Sequence, residues 1–206
     1  SVTAQAGRLK GNVIYLDYPS AGATQHLMTA AVLAEGTTVI KNAAEEPEVV
    51  DLANFLIALG ARIRGHGTSY ITIEGVPRLR GGEYTIIPDR LEAATYAIAA
   101  ALTRGDVYIA NANPEHMMPV LFKLQEAGVQ VESNQTGVHV RLQGRPRAVN
   151  IKTMPHPGFP TDIQQPMTAL LCVAEGVSIV TETVYERRFR YVEELQKMGA
   201  DITQEN

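Results

Sequence analysis

Glycine recurs in this chain at a spacing that constrains the fold more than any other feature. Gly36, Gly105 and Gly176, in LAEGTTVI, LTRGDVYI and VAEGVSIV, lie 69 and 71 residues apart. Gly60, Gly128 and Gly199, in ALGARI, EAGVQV and KMGADI, lie 68 and 71 apart. Each closes a helix-like run, where a left-handed residue suits the helix end. Two sets of landmarks sharing one period imply a single supersecondary unit used repeatedly.

The middle copy, Tyr84 to Gly128, reads as strand, helix, strand, helix, with its first turn at Pro88-Asp89-Arg90. After Gly60, Ala61 to Arg64 and Tyr70 to Ile73 alternate in polarity around a Gly-containing turn. After Gly128, Val129 to Glu132 and Val138 to Leu142 do the same, which predicts two hairpins. The unit is therefore βαβαββ, in an α/β (α+β) chain. The third copy reaches only Ala200-Asp201-Ile202 and lacks its hairpin. An unpaired strand edge is a poor place for such a fold to stop, so the expectation is a fragment of a longer protein.

Composition narrows the function classes. A formal net charge of −4 over 206 residues gives no electrostatic case for nucleic acid as the main partner. No apolar run approaches the ~20 residues of a membrane span. The single cysteine, Cys172, excludes an internal disulfide and fits a reducing compartment. The five histidines are scattered without metal-ligand spacing, and nothing calls for a cofactor.

In chain order, residues 1–12 read as an entry strand or linker, and Val13 to Leu16 as a strand leading to a helix that runs through Glu35. Ser20 and Thr24 are both candidate caps, and Gly22 allows a ligand close to the backbone. Glu45-Glu46-Pro47-Glu48 marks the next helix start, with Val49, Leu52, Ala53, Leu56 and Leu59 on one face. The polar stretch 77–83 is the candidate boundary, giving units at 1–82 and 83–206. Val149 to Lys152 opens the third copy, and Pro155, Pro157 and Pro160 predict a rigid, extended approach to Asp162.

The repeat also aligns candidate chemistry. Ser20 to Gly22, Asp89 and Thr161-Asp162 share the turn into the first helix; Glu46 to Glu48, Asn113 to Glu115 and Val184 to Glu186 share the start of the second. Helix N-termini attract anions through free N–H groups and the dipole. Ser20-Ala21-Gly22, with no acid in the way, suits a phosphate-rich ligand. Asp89 and Asp162 each read as either a simple cap or a functional carboxylate, with the proline run favouring function for Asp162. Cys172, inside an apolar helix, reads as a structural thiol rather than a nucleophile. Of Arg187, Arg188 and Arg190, at most one should point inward, where it can clamp an anion.

The stretches PSAGATQHLMTAAVLAEGTTVIKNAAEEPEVVDLANFL, YTIIPDRLEAATY, PHPGFPTDIQQPM and TETVYERRFRYVEELQKMGADI resemble the UDP-N-acetylglucosamine enolpyruvyl transferases, over residues 10 to 202. The resemblance implies two domains, each an inside-out α/β barrel of βαβαββ units, closing over a cleft. Residues 1–82 would be the last unit of the catalytic domain, and 83–206 the first two units of the C-terminal domain, the second one truncated. The implied substrates are phosphoenolpyruvate and UDP-N-acetylglucosamine, in the first committed step of peptidoglycan synthesis in the bacterial cytoplasm. By the same resemblance Asp162 is the general base, and Ser20, Ala21 and Gly22 hold the UDP diphosphate. Val184 offers a backbone contact, Arg188 lines the cleft, and Glu46, Glu48 and Asp89 match positions near the site or hinge.

Some family features are expected outside this stretch, including a mobile loop with a reactive Cys ahead of Ser1, an N-terminal Lys-Asn pair and several arginines that grip phosphoenolpyruvate. Ala21 stands where Val or Ile is frequent in the family, and Tyr18 where some members have a lysine contact. Two other readings remain: a non-catalytic module that binds nucleotide sugar or a partner, and the shikimate-pathway relative. The sequence leaves the oligomeric state open.

Overall fold

The computed structural model describes residues 3, 5 and 7–205, so part of the predicted 1–12 entry segment lies outside the described residues. The chain divides into two compact units, Ser1–Ile87 and Pro88–Asn206.

The first unit contains one full copy of the repeat. Strands β1 (Val13–Tyr15), β2 (Thr37–Lys41), β3 (Arg62–Arg64) and β4 (Tyr70–Glu74) form a sheet in the order β1-β2-β4-β3. The β1–β2 pair is parallel and therefore needs a crossover, supplied by helix α1 (Ala21–Ala31). The other two pairings are antiparallel, β3 and β4 being the predicted hairpin. Helix α2 (Pro47–Ala58) starts at Pro47, as its sequence predicts, and buries Val49, Ala53 and Leu56. These meet Met28 and Val32, Ile40 of β2, and Ile71 and Ile73 of β4 in one core. Burial on alternate residues of β4 is the period-two pattern of a strand with one covered face.

The first helix stops at Ala31, short of the expected Glu35, because the backbone of Glu35 is engaged elsewhere. Its N–H donates to the Leu9 carbonyl at 2.8 Å, and its carbonyl accepts from Gly11 N at 2.7 Å. Thr24 is not a cap. It is buried inside α1, and its hydroxyl accepts from Ala44 N at 3.0 Å, pinning the loop after β2 to the helix.

The second unit carries helix α3 (Arg90–Leu102), strand β5 (Asp106–Ala110), a 3-10 turn (Pro114–Met117), helix α4 (Met118–Glu126) and strands β6 (Gln130–Asn134) and β7 (Gly137–Arg141). The sheet order is β5-β7-β6, antiparallel throughout. The third copy contributes β8 (Ile151–Lys152), a 3-10 turn (Thr161–Ile163), α5 (Gln164–Cys172), β9 (Val180–Thr181) and α6 (Val192–Lys197). Here β8 and β9 pair in parallel across α5, as β1 and β2 do across α1. The alanines of α3, with Ile98, pack against Ile163, Met167 and Leu170, and small side chains let α3 and α5 approach closely.

Four further expectations need correction. Residues 84–87 form no strand; Tyr84 instead donates its hydroxyl to Asp51 at 2.7 Å and packs edge-on against Phe55 of α2. Among the repeat glycines, Gly36, Gly60, Gly128, Gly176 and Gly199 have positive φ, but in the middle copy Arg104 takes that conformation (φ 56°) in place of Gly105. The approach to Asp162 is a turn, not an extended run: Gly158 N donates to Pro155 O at 2.8 Å and Met154 N to Phe159 O at 3.0 Å, around a cis His156–Pro157 peptide. A Cβ on Gly158 would lie 2.5 Å from Cβ of Met154, so the turn requires glycine. Finally, no helix begins at Val184 to Glu186. Arg187 is left-handed (φ 63°), which interrupts the chain before α6 starts at Val192.

Candidate active site

The candidate residues fall into two groups, one in each unit. In the first unit, Ser20 caps α1: its backbone is extended, and Oγ accepts from Ala23 N at 3.2 Å. The first turn contains no acidic side chain, and a Cβ added at Gly22 would meet nothing within 4 Å. The Gly22 carbonyl accepts from Nδ1 of His26 at 2.7 Å. The result is an uncluttered, positively polarised helix terminus with room for an anion against the backbone.

Asp89 caps α3, its Oδ1 accepting from Leu91 N (2.8 Å) and Glu92 N (3.0 Å). Glu46 is the N-cap residue of α2 and Glu48 lies in its first turn, both half-buried. Arg187 and Arg190 are exposed, whereas Arg188 turns inward with only 26% of its side chain accessible.

In the second unit Asp162 and Arg188 are brought together. Nη2 of Arg188 pairs with Oδ1 of Asp162, and Nη1 donates to the Thr161 hydroxyl at 3.2 Å. With its amide oriented to satisfy both neighbours, Gln165 donates to the Asp162 carbonyl (3.2 Å) and accepts from Nε of Arg188 (2.6 Å). The guanidinium also lies over the Tyr185 ring, 5.6 Å from its centroid.

Beneath this pair sits Glu182. Its Oε1 accepts from the Thr153 hydroxyl (2.6 Å), Val184 N (2.7 Å) and Tyr185 N (3.0 Å), and its Oε2 from the Thr161 hydroxyl (2.8 Å). Burial opposes ionisation of Glu182, but these hydrogen bonds, led by Thr153, outweigh it and hold its carboxyl below the ordinary glutamate value. The Val184 N–H is therefore taken, which leaves the carbonyl as the backbone group Val184 can present.

Sequence reasoning singled out Asp162 and Arg188 but assigned nothing to Glu182, Gln165, Thr153 or the hydroxyl of Thr161. The polar Thr181-Glu182-Thr183 run directly after an apolar strand is the one local signal that points to them. Cys172 is half-buried, and burial pushes its thiol up, away from reactive thiolate. Among the described residues no group of three His, Cys, Asp or Glu is placed to hold a metal, and no helix is long and apolar enough to cross a membrane. A cleft of about 570 Å³ in this unit is walled by Phe122, Ile151, Phe159 and Ile179 and includes none of Asp162, Glu182 or Arg188.

The family model for EPSP synthase (3-phosphoshikimate 1-carboxyvinyltransferase) matches residues 1–206. A UDP-N-acetylglucosamine 1-carboxyvinyltransferase of Halothermothrix orenii is 55% identical over 201 residues, which is 98% of this chain and 48% of that protein. UDP-N-acetylglucosamine 1-carboxyvinyltransferase 1 of Caldanaerobacter subterraneus subsp. tengcongensis is 54% identical with the same coverage. The chain thus spans about half the length of the curated relatives it matches. Among solved structures, the enolpyruvyl transferase NikO from Streptomyces tendae superposes with a TM-score of 0.81 at 27% identity, covering 95% of this chain and 51% of that one. An EPSP synthase from Acinetobacter baumannii, at 22% identity and TM-score 0.55, covers 84% of this chain and 41% of that one and shares the fold.

Proposed function

Because this chain belongs to the EPSP synthase family of enolpyruvyl transferases, we propose that it is the portion of a UDP-N-acetylglucosamine 1-carboxyvinyltransferase that carries the acceptor base. The reaction moves the enolpyruvyl group of phosphoenolpyruvate to the 3-hydroxyl of UDP-N-acetylglucosamine and releases phosphate. The observation that carries this reading is identity of 55% and 54%, across 98% of the chain, to two enzymes of that name. Likeness to a shikimate-pathway enzyme is much lower, at 22% identity.

In this reading Asp162 accepts the proton of the acceptor hydroxyl, making its oxygen the nucleophile. A base of this kind must be held within hydrogen-bond reach of the proton it removes. Its Oδ1 is engaged by Arg188, while the side chain remains 52% accessible, so Oδ2 is the oxygen available to a substrate. The α1 terminus at Ser20, Ala21 and Gly22 binds the diphosphate through backbone N–H groups and the helix dipole. Val184 contacts the nucleotide sugar through its backbone, and Arg188 orients the base. Glu46, Glu48 and Asp89 support helix starts near the site or hinge. Residues 1–82 correspond to the last repeat unit of one domain and 83–206 to two units of the next. The pathway step is the first committed one of peptidoglycan synthesis, in the cytoplasm.

The test is phosphate release from phosphoenolpyruvate by a full-length transferase carrying this stretch. Turnover should require UDP-N-acetylglucosamine and fall by about 10²–10⁴-fold in Asp162→Ala, with the fold intact by circular dichroism. Turnover with shikimate 3-phosphate instead would transfer the chain to the other branch of the family, and near-normal turnover of Asp162→Ala would remove the base from Asp162.

A further inference from the structure

Glu182 lies one residue beyond β9, is not exposed, and makes four hydrogen bonds with a single carboxylate. The bonds divide between its two oxygens. Oε1 gathers Thr153, which follows β8, together with the backbone N–H groups of Val184 and Tyr185. Oε2 receives only the hydroxyl proton of Thr161, the residue before Asp162. One carboxylate thereby ties the segment carrying Asp162 to the segment carrying Arg188.

The protons in this network have only one consistent arrangement. A threonine hydroxyl has one proton and two lone pairs, whereas a guanidinium has donors only. The Thr161 proton must therefore point at Glu182, which leaves a lone pair for Nη1 of Arg188 at 3.2 Å. With Nη1 on Thr161, Nε on Gln165 and Nη2 on Asp162, all three guanidinium nitrogens are engaged and its plane is set. That plane determines how Asp162 is turned, and hence where Oδ2 is presented.

We propose that Glu182 and Thr161 are positioning residues, a two-step relay in which the Glu182 carboxylate orients the Thr161 hydroxyl, Thr161 orients Arg188, and Arg188 aims Asp162. The inference rests on the reading of Asp162 as the base. The relay is selective in a testable way. A glutamine at 182 retains one acceptor for the three donors at Oε1 but puts an amide donor against Thr161. The hydroxyl then loses its acceptor and must turn its proton elsewhere, so the lone pair that Arg188 uses is no longer fixed and the aim of Asp162 is loosened, although the loop remains tied.

The experiment is steady-state kinetics and thermal melting of a full-length transferase carrying this stretch, in the variants Glu182→Gln, Thr161→Val, Thr161→Ser and Asp162→Asn. Misorientation of a catalytic group by about an ångström costs up to about 100-fold in rate, so kcat of Glu182→Gln and of Thr161→Val should fall by about 10- to 100-fold. KM for UDP-N-acetylglucosamine should stay within about threefold, since the acceptor that holds Val184 N–H is retained and the α1 terminus is untouched. Thr161→Ser, which retains the hydroxyl, should return kcat to within about threefold of the parent. In the Asp162→Asn background Glu182→Gln should add almost nothing, because residues acting as one unit are not additive.

If Asp162→Asn is severely impaired while Glu182→Gln and Thr161→Val are within twofold of the parent, the relay is wrong and the base stands. Losses that multiply in the Glu182→Gln/Asp162→Asn double variant would also overturn it, by showing that Glu182 acts on the fold alone. Normal turnover of Asp162→Asn would instead overturn the base itself, a separate result. Should Glu182→Gln fail to fold, the contrast between Thr161→Val and Thr161→Ser decides, and equal activity of those two ends the proposal.

Discussion

Asp162 and Arg188 stand 26 residues apart in sequence and face each other as an ion pair in the second unit. The arginine is the less accessible partner, at 26% against 52% for the aspartate, so the pair presents a carboxylate outward on a fixed cationic support. Support of this kind depends on guanidinium shape as well as charge. Arg188→Lys retains the charge but cannot reach Thr161, Gln165 and Asp162 together. Turnover should fall at least about tenfold in steady-state assays of a full-length transferase. Parent-like kcat in the lysine variant would show that charge alone suffices.

The α1 terminus allows stability and binding to be separated. The space around Gly22 is open, and an acid in the first turn complements the helix dipole by about 0.3–1 kcal/mol. Gly22→Asp should therefore leave the melting temperature unchanged or raised, yet repel a diphosphate from the N–H groups. Calorimetric titration with UDP-N-acetylglucosamine should show affinity weakened at least about tenfold, equivalent to ~1.4 kcal/mol. Unchanged affinity would move the diphosphate elsewhere.

Glu182 predicts a pH dependence with a definite sign. Its folded-state carboxyl titrates below its ordinary value, near 4.3 for an unfolded chain. Ionised Glu182 thus stabilises the fold above about pH 4.3, and that contribution disappears as pH falls through the lower folded value. Urea melts between pH 7 and pH 3 should lose stability more steeply in the parent than in Glu182→Gln, which has no proton to take up. Parallel curves would mean the hydrogen bonds do not favour the ionised form.

Cys172 should resist alkylation. Its partial burial at the end of α5 raises its thiol, so little thiolate exists at neutral pH. Mass spectrometry after iodoacetamide treatment should show slow labelling of the folded chain and fast labelling in urea. Equal rates in both conditions would place the thiol in solvent.

Asp89 offers a simpler case. Removing its two cap bonds in Asp89→Ala should cost about 0.5–2 kcal/mol of stability, read from the denaturant midpoint at unchanged slope. Loss below that range would mean the helix start is held by its packing rather than by its cap.

Features set by local covalent and steric rules were legible in the sequence. Period and polarity placed α2, the β3–β4 and β6–β7 hairpins and the crossovers, because strand alternation, helix faces and left-handed glycines act within a few residues. The proline run and the basic cluster also marked Asp162 and one inward arginine as candidates, since both leave local traces, but they did not say which arginine turns inward. Local signals failed wherever a distant partner competed. Glu35 was drawn from α1 to the entry segment, and Tyr84 was drawn to Asp51.

The sequence alone therefore determined the repeating unit, the core-facing residues and the residue types available for chemistry. Tertiary structure alone decided which of them meet: that Thr153, Thr161 and Glu182, spread over 29 residues, share one half-buried carboxylate, and that Arg188 rather than Arg187 or Arg190 reaches Asp162. The physical reason is range. Propensity and periodicity act along the chain, whereas the half-buried Glu182 carboxylate draws two of its four donors, the Thr153 and Thr161 hydroxyls, from remote segments that only the fold brings to it.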